Sequence, residues 1–230
     1  MSHRFSLIYV ILAGVYLASL PYTPYAGQFA IKGLPIALLI LCSAMALRGS
    51  QRLVVMLALL ASLAGDVVLA LPIENQFVFG LLCFFVAHIV YVISFVYLHK
   101  VAHRSALDSK AVSLKPALSL SLLCLAIACF ALYMAIGILP AAGAMLYPVV
   151  AYLCIITTMS VCAVLFTQSA LIICGAIIFM LSDAAIAQSV FKEAIPLSDY
   201  FIMLTYYVAQ FCLTAGLINA FSTNAKGVEA

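Results

Sequence analysis

The chain has 230 residues, of which 68% are hydrophobic and only 7% charged, whereas about a quarter of the residues in soluble domains are charged. That composition excludes a water-soluble core. The net charge is +3, but the basic residues are scattered over several short gaps and form no strip that would hold a nucleic acid.

A spanning helix needs roughly 20 apolar residues, so this length leaves room for about eight spans and no extramembrane domain. The expectation is an all-α, polytopic membrane protein, one transmembrane domain over 1–230, with every functional group among its helices. Apolar runs and the breakers between them predict spans near 5–20, 30–47, 53–71, 77–98, 116–139, 144–166, 170–191 and 200–221. The first follows Arg4 and ends on Ala18 and Ser19, the outline of a secretory signal, but the membrane character of everything downstream favours an uncleaved span. Pro21 and Pro24 close it. The stretch 100–115 is the one long connection expected, and it is basic. The eight cysteines, Cys42, Cys83, Cys124, Cys129, Cys154, Cys162, Cys174 and Cys212, fall inside apolar runs without a C-x-x-C pair and are expected as buried free thiols.

With the N-terminus in the cytoplasm, Arg4, Arg48, Arg52, Lys100, Arg104, Lys110, Lys115 and Lys226 all lie on the cytoplasmic side, and only Lys32 and Lys192 lie opposite. This asymmetry predicts an N-in, C-in topology. A bacterial inner membrane is the expected location, and an endomembrane fits the same pattern.

A carboxylate in hydrocarbon costs roughly 2.5–3.5 kcal/mol on insertion scales, so ionisable groups inside the spans call for a function. Asp66, His88 and Asp183 are such groups, and Lys32 is a fourth if it folds inward rather than reaching the headgroups. From the 1.5 Å rise, Asp66 lies about 7 Å and Asp183 about 12 Å below the outer ends of their spans. On the last span Tyr207, Gln210 and Thr214 share one face, at i, i+3 and i+7, and that face is expected to look toward the aspartates. On the fourth, His88 and Tyr91 form a polar notch between Phe84 and Phe95. For each residue taken alone the alternative is a polar contact between packed helices.

The two halves of the chain carry a faint echo. Asp66 is followed at offsets of 22 and 25 by His88 and Tyr91, and Asp183 at offsets of 24 and 27 by Tyr207 and Gln210. Two four-helix halves of like orientation would be related by an axis along the membrane normal; a chance likeness of apolar stretches gives the same offsets. No metal or other cofactor is expected, because one His and two Asp on three helices are too few zinc ligands, and His99 with His103 reads as a basic helix end. Neither a G-x-S-x-G elbow nor a Ser/Lys or Cys/His pair stands out for covalent catalysis.

At these residues the chain resembles the YhhN family, whose animal members include lysoplasmalogenase. The matching stretches are Lys32-Gly-Leu-Pro35, Gly65-Asp66, Phe79-Gly-Leu-Leu-Cys-Phe-Phe-Val-Ala-His88 with Tyr91, Gly175-Ala-Ile-Ile-Phe-Met-Leu-Ser-Asp183 and Thr205-Tyr206-Tyr207-Val-Ala-Gln210, with Tyr147 and Met159 also fitting. Gly33 departs from the proline expected after the lysine. The resemblance implies an eight-span fold and hydrolysis of the vinyl ether bond of a lysoplasmalogen to a fatty aldehyde and a glycerophospho-alcohol.

Such chemistry needs a proton donor and a nearby negative charge, and two buried carboxyl groups supply both when one stays neutral and the other ionised. Asp66 and Asp183 are therefore the expected catalytic pair. Lys32, His88, Tyr91, Tyr147, Tyr206, Tyr207 and Gln210 are the expected substrate-binding residues, with Lys32 on the phosphate of a lysophospholipid drawn from the surrounding membrane lipids. The rival expectation is a proton-coupled lipid or small-molecule transporter that uses the same carboxylates.

Overall fold

The structure, a computed structural model, describes residues 3–109, 117–193 and 196–226. Its elements are the helices α1 (His3–Ser19), α2 (Gln28–Ala46), α3 (Gly49–Leu69), α4 (Gln76–Ser109), α5 (Ala117–Ile138), α6 (Leu146–Phe166), α7 (Ala170–Phe191) and α8 (Ser198–Lys226). Each contains a stretch long and apolar enough to cross a membrane. Among the described residues there are no strands. The reason is physical: a lone spanning segment satisfies its backbone polar groups in hydrocarbon only as a helix.

Breaks fall where the sequence loses helix formers. Pro21 and Pro140 sit in short 3₁₀ turns, Leu20–Tyr22 and Leu139–Ala141, and Gly27 and Gly49 adopt positive φ at the starts of α2 and α3. One predicted boundary is wrong. The stretch expected to be a loop from residue 100 continues α4 to Ser109, because between Gly80 and Pro116 no glycine or proline interrupts a run rich in Leu, Ala, Lys and Arg. At about 1.5 Å per residue, this 34-residue helix is longer than the roughly 30 Å hydrocarbon core and projects from it. Lys110 and Lys115, two of the residues behind the expected topology, lie outside the described residues.

α8 is the central helix. It packs on α7 along its length and also touches α1, α2, α3 and α4. Gly175 permits the close approach of α7 to α8, since a Cβ there would lie 2.9 Å from the backbone nitrogen of Leu213 and 3.1 Å from the carbonyl oxygen of Ala209. α5 is the outermost, packed on α6 and α7 and presenting Leu118, Leu122, Leu125, Leu132 and Ile136 outward, as a lipid-facing helix does. The cysteines divide between these environments. All eight are free, but only Cys42 is buried, and Cys129, Cys154 and Cys174 point outward where hydrocarbon rather than protein covers them.

Helix neighbours repeat between the two halves. α1 to α4 pack in sequence and so do α5 to α8; α2 lies against α8, and α6 against α4. The second helix of each half thus meets the fourth helix of the other, as a two-fold axis through the bundle would require.

Candidate active site

Both aspartates lie toward the end of the bundle opposite the N-terminus, here the upper end. Asp66 is three residues from the end of α3 and Asp183 eight from the end of α7, roughly 5 Å and 12 Å along their helices. They do not share a site.

Asp66 belongs to a sealed cluster. Gly33 brings α2 close to α3, since a Cβ there would sit 2.7 Å from Leu63 Cδ1, and beside it Lys32 places Nζ 3.7 Å from Asp66 Oδ1 with both residues buried. Tyr206 donates to Asp66 Oδ2 at 2.6 Å, Gln210 Nε2 donates to the Tyr206 hydroxyl at 3.4 Å, and Tyr91 donates to Gln210 Oε1 at 2.7 Å. Tyr207 donates instead to the Lys32 carbonyl at 2.8 Å, and Tyr9 to the Tyr207 carbonyl at 2.6 Å. Five helices, α1, α2, α3, α4 and α8, are tied by this one network.

Asp183 has different partners. Tyr152 on α6 donates to its Oδ2 at 2.6 Å, and His88 Nε2 lies 3.3 Å from the same oxygen and 3.0 Å from the Tyr152 hydroxyl. His88 Nδ1 is buried and makes no hydrogen bond. An orphaned buried N–H is rarer than an orphaned acceptor, which assigns the imidazole proton to Nε2, where Asp183 Oδ2 and the Tyr152 oxygen accept it. Both partners act on Oδ2. Oδ1 makes no hydrogen bond among the described residues.

Two apolar cavities flank this carboxyl group. One lies between α5, α6 and α7 and the other between α3, α4, α6 and α7; both are partly open, and among the described residues Asp183 is the only charged one lining either. The Asp66 cluster lines neither cavity.

Aromatic rings separate the two clusters. Phe84, Phe179 and Tyr206 pack edge to face with centroids 5.5–6.2 Å apart, and Phe179 also meets His88 at 4.8 Å. Gly65 makes room for this wall, because a Cβ there would lie 2.6 Å from Phe84.

The predicted residues are therefore redistributed. Lys32, Tyr91, Tyr206, Tyr207 and Gln210 surround or support Asp66, while His88 goes to Asp183. Tyr147, 83% exposed, joins neither cluster. Sequence reasoning missed Tyr152. The echo between halves gave no signal for it, since it paired His88 with Tyr207 and did not reach α6; in the structure Tyr152 on α6 meets Asp183 as Lys32 on α2 meets Asp66, and His88 on α4 meets Asp183 as Tyr206 on α8 meets Asp66. Among the described residues no three His, Cys, Asp or Glu side chains converge as a metal site would require.

Eight spanning helices around a carboxyl group set between apolar cavities define a multi-pass integral membrane protein with an intramembrane carboxylate site. The chain belongs to the YhhN family, whose model matches residues 27–217, from the glycine before α2 into α8. No curated protein and no solved structure matches it.

Proposed function

We propose that the protein is an intramembrane hydrolase that cleaves the vinyl ether bond of lysoplasmalogens, with Asp183 as the residue that meets the substrate. The observation that carries this reading is the carboxyl group itself: Oδ2 is fixed by Tyr152 and His88, and Oδ1 remains unbonded beside two apolar cavities. As a neutral acid, Asp183 gives its proton to the alkene carbon distant from the ether oxygen, leaving an oxocarbenium ion. Asp183, now a carboxylate, steadies that cation and takes a proton from the water that adds to it. The hemiacetal then breaks its carbon–oxygen bond to the glycerol, releasing aldehyde and alcohol. One water is consumed and the acid is restored.

Asp66, balanced by Lys32 and screened by Phe84 and Phe179, holds the bundle in register in this reading and does not touch the substrate. The chemistry calls for no metal. Purified protein given alkenyl, alkyl and acyl lysophospholipids is expected to release aldehyde from the alkenyl lipid alone, equally with and without chelator; no product from any of the three would overturn the reading in favour of transport.

Tyr152 positions the acid. Tyr152→Phe keeps the ring and removes one hydrogen bond to a group that becomes charged, worth about 1.5–3 kcal/mol. The expected result is a fall in kcat of roughly 10- to 100-fold with KM nearly unchanged, read from initial rates of aldehyde release.

A further inference from the structure

The cavity between α5, α6 and α7 has a direction. Its α5 side runs from Phe130 up to Ile138, eight residues or about 12 Å, and its α7 side presents Met180, Asp183, Ala184 and Ala187 on one face. Asp183 lies between the deep end, marked by Phe130, Ile156 and Met180, and the upper end at Ile138 and Leu139.

A cation stands over that upper end. Lys192 caps α7 nine residues beyond Asp183, about 13 Å along the axis. Its Nζ lies against α5 at Gly137, 3.2 Å from where a Cβ would be. Any side chain at Gly137 would contest that position, and Gly137 lies between the cavity-lining Met134 and Ile138. Lys192 is exposed and makes no ion pair among the described residues. Lys32, the lysine expected to meet a phosphate, is committed to Asp66 and buried.

We infer that Lys192 is the residue that selects a phosphate-bearing headgroup at this slot, holding the phosphate of a single-chain lipid whose chain lies beside Phe130, Ile156 and Met180 and whose linkage sits at Asp183. Three things on one line select that ligand: an apolar slot for one chain, a carboxyl group partway along it, and a free cation at the mouth. The inference rests on the hydrolase reading for its choice of linkage, but the binding site stands on its own geometry.

The test reads binding and not turnover. A radiolabelled 1-O-alkyl lysophospholipid, whose saturated ether is inert to the proposed chemistry, is compared with the 1-O-alkylglycerol of the same chain on protein in nanodiscs. Lys192→Gln is expected to weaken the phospholipid about tenfold, a magnitude set by one charge-assisted contact at a half-open site. Lys192→Glu is expected to weaken it further, and neither should alter alkylglycerol binding. Ala184→Phe, which fills the slot, is expected to weaken both ligands. Unchanged phospholipid affinity in Lys192→Gln, an equal loss for both ligands, or no binding of either to the native protein would overturn the proposal. An enzyme assay without product, beside this binding pattern, would remove the hydrolase reading and leave the site.

Discussion

Asp183→Asn is expected to lower aldehyde release from an alkenyl lysolipid by about 10²- to 10⁴-fold, the range that a positioned general acid supplies. The carboxamide preserves shape, and its oxygen still accepts from Tyr152, so the variant should elute from size exclusion and unfold with heat as the native protein does. What it loses is the proton at the cavity. Turnover above a tenth of the native rate in a folded Asp183→Asn protein would remove Asp183 from the chemistry and move attention across the aromatic wall to Asp66.

Lys32→Met is expected to act on stability first. The substitution leaves the Asp66 carboxylate buried with Tyr206 as its one hydrogen-bonding partner among the described residues, and breaking a buried pair from one side costs about 3–5 kcal/mol. For a chain of this size that corresponds to a fall in Tm of roughly 10 °C. Adding Asp66→Asn removes the uncompensated charge while retaining an acceptor for Tyr206, so the double variant should recover much of the loss. Thermal unfolding in detergent measures both. A double variant no more stable than Lys32→Met would show that the pair is not what joins α2 to α3.

The eight spans were legible because hydrocarbon imposes one rule on all of them, a run of about 20 apolar residues ended by proline, glycine or charge. The extension of α4 was not, since 100–109 is polar enough to read as a connection while its residues are good helix formers. Asp66, His88 and Asp183 stood out because each is expensive in a membrane. Their grouping did not, because the chain does not state which helices adjoin: α4 faces both clusters, giving Tyr91 to one and His88 to the other. Tyr147 and Tyr152 are alike as sequence, two tyrosines near the start of one apolar span; only the packing of α6 on α7 turns Tyr152 to Asp183 and leaves Tyr147 outside. Tyr206 and Tyr207 were both expected at the site, and because α8 is buried on several sides both point inward, one to a carboxylate and one to a backbone carbonyl.

The exchange of partners between halves has a consequence for biogenesis. Asp66 meets Lys32 as soon as α2 and α3 emerge and pair, so its charge is balanced early, but Tyr206 arrives only with the last helix. Asp183 enters the bilayer after both Tyr152 and His88 have been made, so its partners are waiting for it. Insertion from the N-terminus therefore completes the sealed cluster last, and docking of α8 is the step that commits the bundle.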